Sequence, residues 1–92
     1  NAPRRALEFF SQALPILQAE RDRKDEARIL RSIALTYDFL GEPYRSVEAY
    51  EKALAISRDL DDRLAVSSTL INYGSVLKNL GEGSRAAGLL GE

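Results

Sequence analysis

Hydrophobic residues recur along this chain at helical spacing, and the spacing itself repeats. From Ala27 the apolar run goes Leu30, Ile33, Ala34, Tyr37 and Leu40, one face of a helix with about 3.6 residues per turn. Further on, Leu70, Tyr73, Gly74, Leu77 and Leu80 trace the same face. Between and before these runs stand Val47, Tyr50, Ala53 and Leu54, and Leu7, Phe10, Ala13, Leu14 and Leu17. The punctuation agrees. Gly41 and Gly81 follow the last periodic residue of a run, where a left-handed C-terminal cap favours a residue without Cβ. Pro43 suits the first turn of the next helix, where its missing N–H costs nothing. Asp22 and Asp62 can accept a bond from the free N–H groups of a starting helix. The pattern predicts five helices at about 3–20, 24–40, 43–59, 63–80 and a short 84–90. Connections this short make neighbours antiparallel. Pro15 is the one local conflict: it should kink the first helix or end it early, since a straight continuation costs about 3 kcal/mol.

Sliding the chain by forty residues lays residues 1–52 on 41–92 with 13 identities, where composition alone gives roughly three or four. The matches respect the punctuation. Ala13, Leu14 and Ile16 meet Ala53, Leu54 and Ile56; Asp22-Arg23 meets Asp62-Arg63; Leu40-Gly41-Glu42 meets Leu80-Gly81-Glu82. The chain is a helical repeat with a forty-residue period.

The stretch from Leu30 to Leu54, ending LGEPYRSVEAYEKAL, resembles the tetratricopeptide repeat. Its marks are the small Ala34 (Gly74 in the second copy), Tyr37, the Leu-Gly turn, small Ser46, Tyr50 and the Ala53-Leu54 pair. Small residues let two helices approach closely, while aromatic and Leu side chains fill the gaps. The forty-residue form, with its Asp-Arg connectors and the text Ala13 to Ile16, is similar to arrays in kinesin light chains, in Pins/LGN polarity scaffolds and in bacterial proteins with a CHAT domain. Leu30 and Leu70 replace the family's Trp, Leu77 its Tyr, and Pro43 an aromatic residue.

The resemblance implies an all-α fold of antiparallel helix pairs stacked in a right-handed superhelix, an α-solenoid fragment. Residues 1–22 are then the second helix of a preceding repeat, 23–60 a full repeat, and 61–92 a second repeat truncated or frayed at its end. It also implies a concave groove lined by the first helix of each repeat. Carried over, that face is Arg28, Arg31, Ser32, Leu35, Asp38 and Phe39, then Ser68, Ile71, Asn72, Ser75, Lys78 and Asn79. Independently, these residues lie off the apolar stripe. Leu35 and Phe39, four apart, form apolar surface of the kind that marks partner sites. The Asn72 amide can both donate to and accept from a peptide backbone. Arg28 and Arg31 could grip an acidic ligand, although Glu20, Asp22, Asp25 and Glu26 are near enough in sequence to form ordinary surface pairs with them.

Composition narrows the chemistry. Of 92 residues 45% are hydrophobic and 29% charged, and the net charge is −1, so no bulk attraction to nucleic acid or an anionic membrane is expected. Without Cys or His the chain lacks thiolate and imidazole, whether as nucleophile, base or metal ligand. Asp61-Asp62 is too small a set for a metal and reads as capping. Glu20 to Arg28 reads as a solvated helix end. Tyr37, Tyr50 and Tyr73 read as core, Tyr44 as more exposed. No cofactor and no enzymatic activity are expected. No apolar run approaches the roughly 18 residues of a membrane span and no leader pattern opens the chain; a cytoplasmic location is expected. With no Met anywhere, Asn1 is not expected to be a translation start, and the chain should be a piece of a longer array.

The leading expectation is a scaffold module that binds a protein or peptide. The alternative is a regulatory arm gating an effector domain outside the piece, and a third reading is a plain spacer. A piece with bare ends is further expected to self-associate, as a dimer or by helix exchange.

Overall fold

The structure, a computed structural model, describes residues 1–80. Four helices follow one another: α1 (Ala2–Ala19), α2 (Arg23–Phe39), α3 (Pro43–Asp59) and α4 (Arg63–Asn79). Each packs on the next, and α4 also touches α2. The described residues are all helix and turn. The helix expected at 84–90 and the cap expected at Gly81 lie outside them.

The three connections share one construction, spaced twenty residues apart. The N–H groups of Gly41 and Glu42 donate to the carbonyls of Asp38 and Tyr37 at 3.1 and 2.9 Å. Arg21 and Asp22 donate in the same way to Gln18 and Leu17, and Asp61 and Asp62 to Arg58 and Ser57. This closes the last carbonyls of one helix while placing the N-cap of the next only two residues on. Asp22 and Asp62 do cap, accepting from Asp25 N–H and Ala65 N–H at 3.2 Å each. Glu42 makes no such bond and instead pairs with Arg45 at 3.4 Å and Arg4 at 3.9 Å.

The turn needs a left-handed residue, and only Gly41 (φ 77°) is a glycine; Arg21 (58°) and Asp61 (53°) hold the same conformation with side chains. A left-handed L-residue costs roughly 1–2 kcal/mol, partly offset by the freedom Gly loses on folding. Arg21→Gly should therefore stabilise the fold by about 0.5–1 kcal/mol, and Gly41→Ala should cost about as much. A Cβ at position 41 meets no atom within 4 Å, so that cost is purely conformational. Urea denaturation of the two variants measures both signs.

Pro15 neither ends nor interrupts α1, which runs on to Ala19. The reason is exposure. Pro15 and Ser11 both face solvent, so water can satisfy the Ser11 carbonyl that loses its helical donor.

Ile33, Ala34, Ala49, Tyr50 and Val76 form the main buried cluster, with Leu7, Phe10, Leu14 and Tyr37 packed against it. At its centre Ala34 and Ser46 are fully buried, and Ser46 Oγ donates to the Ala34 carbonyl at 2.7 Å. These two small side chains let α2 and α3 approach closely. A second cluster joins Ala27 and Leu30 of α2 to Ala53 and Ile56 of α3, with Leu14 of α1 against it.

Two expectations about the core need correction. Leu70 is 39% exposed, while its neighbour Thr69 and Val76 are buried; α4 turns Thr69 and Val76 inward and leaves Leu70 on an open groove. Tyr37 and Tyr73 pack against the main cluster but are only half-buried, at its edge. Each keeps its polar end at the surface: Tyr73 Oη donates to Glu51 Oε2 at 2.8 Å, and the Arg45 guanidinium lies 5.8 Å from the Tyr37 ring centre. Burial, then the bond to Glu51, pushes the Tyr73 phenol above its ordinary pKa.

Helices α1 and α3 differ in burial. Helix α3 buries Ser46, Ala49, Tyr50, Ala53, Leu54, Ile56 and Ser57. Forty residues earlier the counterparts are Ala6, Phe9, Phe10, Ala13, Leu14, Ile16 and Leu17. All are apolar, yet α1 buries none of its residues.

Candidate functional site

The six candidate residues of α2 follow one another up the side of the helix left free by α3. Arg28 is exposed, and its guanidinium is engaged by Asp25 at 2.8 Å, one turn before it. Such a surface pair is worth well under 1 kcal/mol and leaves Arg28 available to exchange partners. Arg31 is half-buried and has no ion-pair partner among the described residues. Ser32 spends its hydroxyl on its own helix, donating to the Arg28 carbonyl at 3.2 Å, while Thr36 Oγ1 donates to the Ser32 carbonyl at 2.8 Å. Ser32 therefore offers a partner less than its residue type suggests.

Leu35 and Phe39 are 58% and 79% exposed, and the structure brings them together. With Thr36 they form one wall of a groove of about 350 Å³ whose other wall is Ala2 and Pro3 at the start of α1. All its lining residues but Thr36 are apolar. Sequence reasoning missed Ala2 and Pro3. Pro3 sits in the first turn of α1, and only the antiparallel packing of α1 on α2 carries it to the far end of α2. A helical stripe gives no signal of that juxtaposition.

Asp38 is half-buried and adds to the raised pKa of Tyr50, whose phenol is lifted first by burial and then by this carboxylate. Its charge thus bears on the edge of the core as well as on the outer face. On α4, Ser68, Ile71, Asn72, Ser75, Lys78 and Asn79 are all exposed. Ile71 is the apolar member and Asn72 stands beside it. Helices α2 and α4 run in the same direction and touch, with Val76 of α4 in the cluster that holds Ile33 and Ala34 of α2. The two candidate faces therefore belong to neighbouring helices. Chemically the set combines an apolar groove, side-chain amides, and more basic than acidic groups. It can hold an apolar side chain and hydrogen-bond a backbone.

Among the described residues no helix is long and apolar enough to cross a membrane. No protein-family model matches the chain, and no curated protein is significantly similar to it. The described residues form four consecutive antiparallel helices, and the sequence shifted by forty residues on itself keeps 13 identities.

Proposed function

We propose that the chain is a segment of a tetratricopeptide-type α-solenoid, and that the outer faces of α2 and α4 form a concave groove for an extended peptide or protein segment. The observation that supports this best is the exposed Leu35–Phe39 pair, 58% and 79% open, on a helix whose opposite side is fully engaged with α3. Isolated exposed apolar residues are common; two of them lining one groove with Ala2 and Pro3 are less so. The repeat supports the array, since small Ala34 and Gly74 recur at the position of close helix approach.

On this reading the partner places an apolar side chain between Phe39 and Pro3. Its backbone runs along Asn72 and Asn79, and its acidic groups lie toward Arg31 and Lys78. The function is scaffolding or recruitment without chemistry on the ligand.

A peptide-display selection against the immobilised chain tests the proposal. Selected peptides should bind Leu35→Ala/Phe39→Ala at least about tenfold more weakly, measured by fluorescence anisotropy. Tyr44→Ala, an equally open aromatic elsewhere, should bind as the parent does. Selected peptides indifferent to the double variant would place the binding surface somewhere else.

A further inference from the structure

The outer side of α2 carries two chemistries in order along one stripe. Lys24, Arg28, Arg31, Leu35 and Phe39 follow one another at steps of four, three, four and four residues, so they share one side of the helix. All are exposed except half-buried Arg31. The three toward the helix start are cations, the two toward its end are apolar, and no acidic residue stands on the stripe. Arg28 is engaged by Asp25 at 2.8 Å, while Glu26 accepts from Gln18 at 3.2 Å. Lys24 and Arg31 have no ion-pair partner among the described residues.

The openness of this stripe does not depend on what precedes Asn1. Helices α1, α3 and α4 all contact α2 and leave the stripe open. Forty residues on, Ser75 and Asn79 stand where Leu35 and Phe39 stood, and both are exposed although α2 touches α4. A helix set before α2 as α2 is set before α4 would leave Leu35 and Phe39 open in the same way.

Helix residues four apart are separated by about 6 Å along the axis. In an extended chain, residues two apart are separated by about 6.6 Å and point to the same side. Alternate residues of an extended ligand therefore keep step with Phe39, Leu35 and Arg31. Its next such residue falls between Arg28 and Lys24, about 4.5 and 10.5 Å beyond Arg31, where both long side chains can reach it. Resting on the reading that an extended segment lies along this face, we infer that its alternate residues run apolar, apolar, acidic, acidic from the Phe39 end to the Lys24 end. Two costs fix the order. A carboxylate placed over Leu35 or Phe39 loses hydration without gaining a cation, and an apolar group over Arg31 covers an unpaired guanidinium.

Fluorescein-labelled Leu-Ser-Leu-Ser-Glu-Ser-Glu and the same sequence reversed, one for each chain direction, test this by anisotropy with the full chain. The tighter of the two should bind at least about tenfold more tightly than its isomer with the middle Leu and Glu exchanged. Arg31→Gln should weaken it about fivefold or more and leave unchanged the binding of a peptide carrying Gln for both Glu residues. Raising NaCl from about 0.05 to 0.5 M should weaken the Glu peptide alone. Circular dichroism confirms that each variant is helical. An isomer that binds equally well overturns the inference. So does an Arg31→Gln loss that is equal for the Glu and Gln peptides, or the absence of saturable binding by either peptide up to about millimolar concentration. Peptides that are weakened by Leu35→Ala/Phe39→Ala but indifferent to Arg31→Gln would leave the groove standing and remove this order. Indifference to both variants would remove the groove as well.

Discussion

Tyr50→Ala should cost about 3–5 kcal/mol of folding free energy, the range for truncating a large buried aromatic residue. Tyr50 is 1% exposed and is the largest fully buried side chain among the described residues. It lies on α3 in the cluster that also holds Ile33 and Ala34 of α2 and Val76 of α4. Three of the four helices therefore meet around it, and Phe10 of α1 packs against the same cluster. Removing the ring leaves a cavity that no single helix can close by sliding, because the neighbours on both sides are tied by three-residue turns. A chain of this size holds only about 5–14 kcal/mol of stability in total. The variant should lose most of its cooperative transition in a urea titration followed at 222 nm. Tyr44→Ala, on the exposed side of the same helix, should shift stability by no more than about 0.5 kcal/mol. Equal effects at the two positions would mean that α3 presents a different face to α2.

The helix limits were legible because local chemistry sets them. Asp22 and Asp62 cap and Gly41 turns, each within hydrogen-bonding reach of the residues it serves, and no distant contact can override such short-range bonds. The two other left-handed turns were not legible. Arg21 and Asp61 carry no glycine signal, and they adopt positive φ because the packing of α1 on α2 and of α3 on α4 fixes the chain reversal. Pro15 does not end α1 early, for the opposite reason: an isolated-helix rule assumes the freed carbonyl is costly, and on an exposed face water removes that cost. The error at Leu70 comes from the architecture. Helix α4 packs on α3 and also touches α2, so one apolar stripe does not say which residues turn inward; Thr69 and Val76 are the buried ones, Val76 in the cluster with Ile33, Ala34, Ala49 and Tyr50. At the candidate surface, the exposure of Leu35 and Phe39 followed from their offset from the stripe. The opposite wall, Ala2 and Pro3, depends on which end of α1 reaches α2, and that is tertiary information.

Ala34→Leu should cost about 1–3 kcal/mol through overpacking, and the reason is visible in one hydrogen bond. Ser46 Oγ reaches the Ala34 carbonyl at 2.7 Å across the α2–α3 contact, so the backbone of α2 lies within a side chain's first polar atom of α3. No space remains for three further carbon atoms at position 34, which is 0% exposed. A leucine there has to push the helices apart, lengthening that bond and loosening the Ile33, Ala49 and Tyr50 contacts on either side of it. Ala34→Gly separates the two effects. It keeps the close approach and loses only the helix preference, about 1 kcal/mol, and Gly74 stands forty residues on from Ala34 in the sequence. Arg31→Ala, three residues away on the outer side of α2, should change stability by less than about 0.5 kcal/mol. Thermal and urea midpoints of the three variants should therefore fall in the order Arg31→Ala, Ala34→Gly, Ala34→Leu, the last lowest. An Ala34→Leu midpoint equal to that of the parent would show that α2 and α3 do not approach at this point, and with it would go the assignment of the small residue as the contact that sets the helix pair.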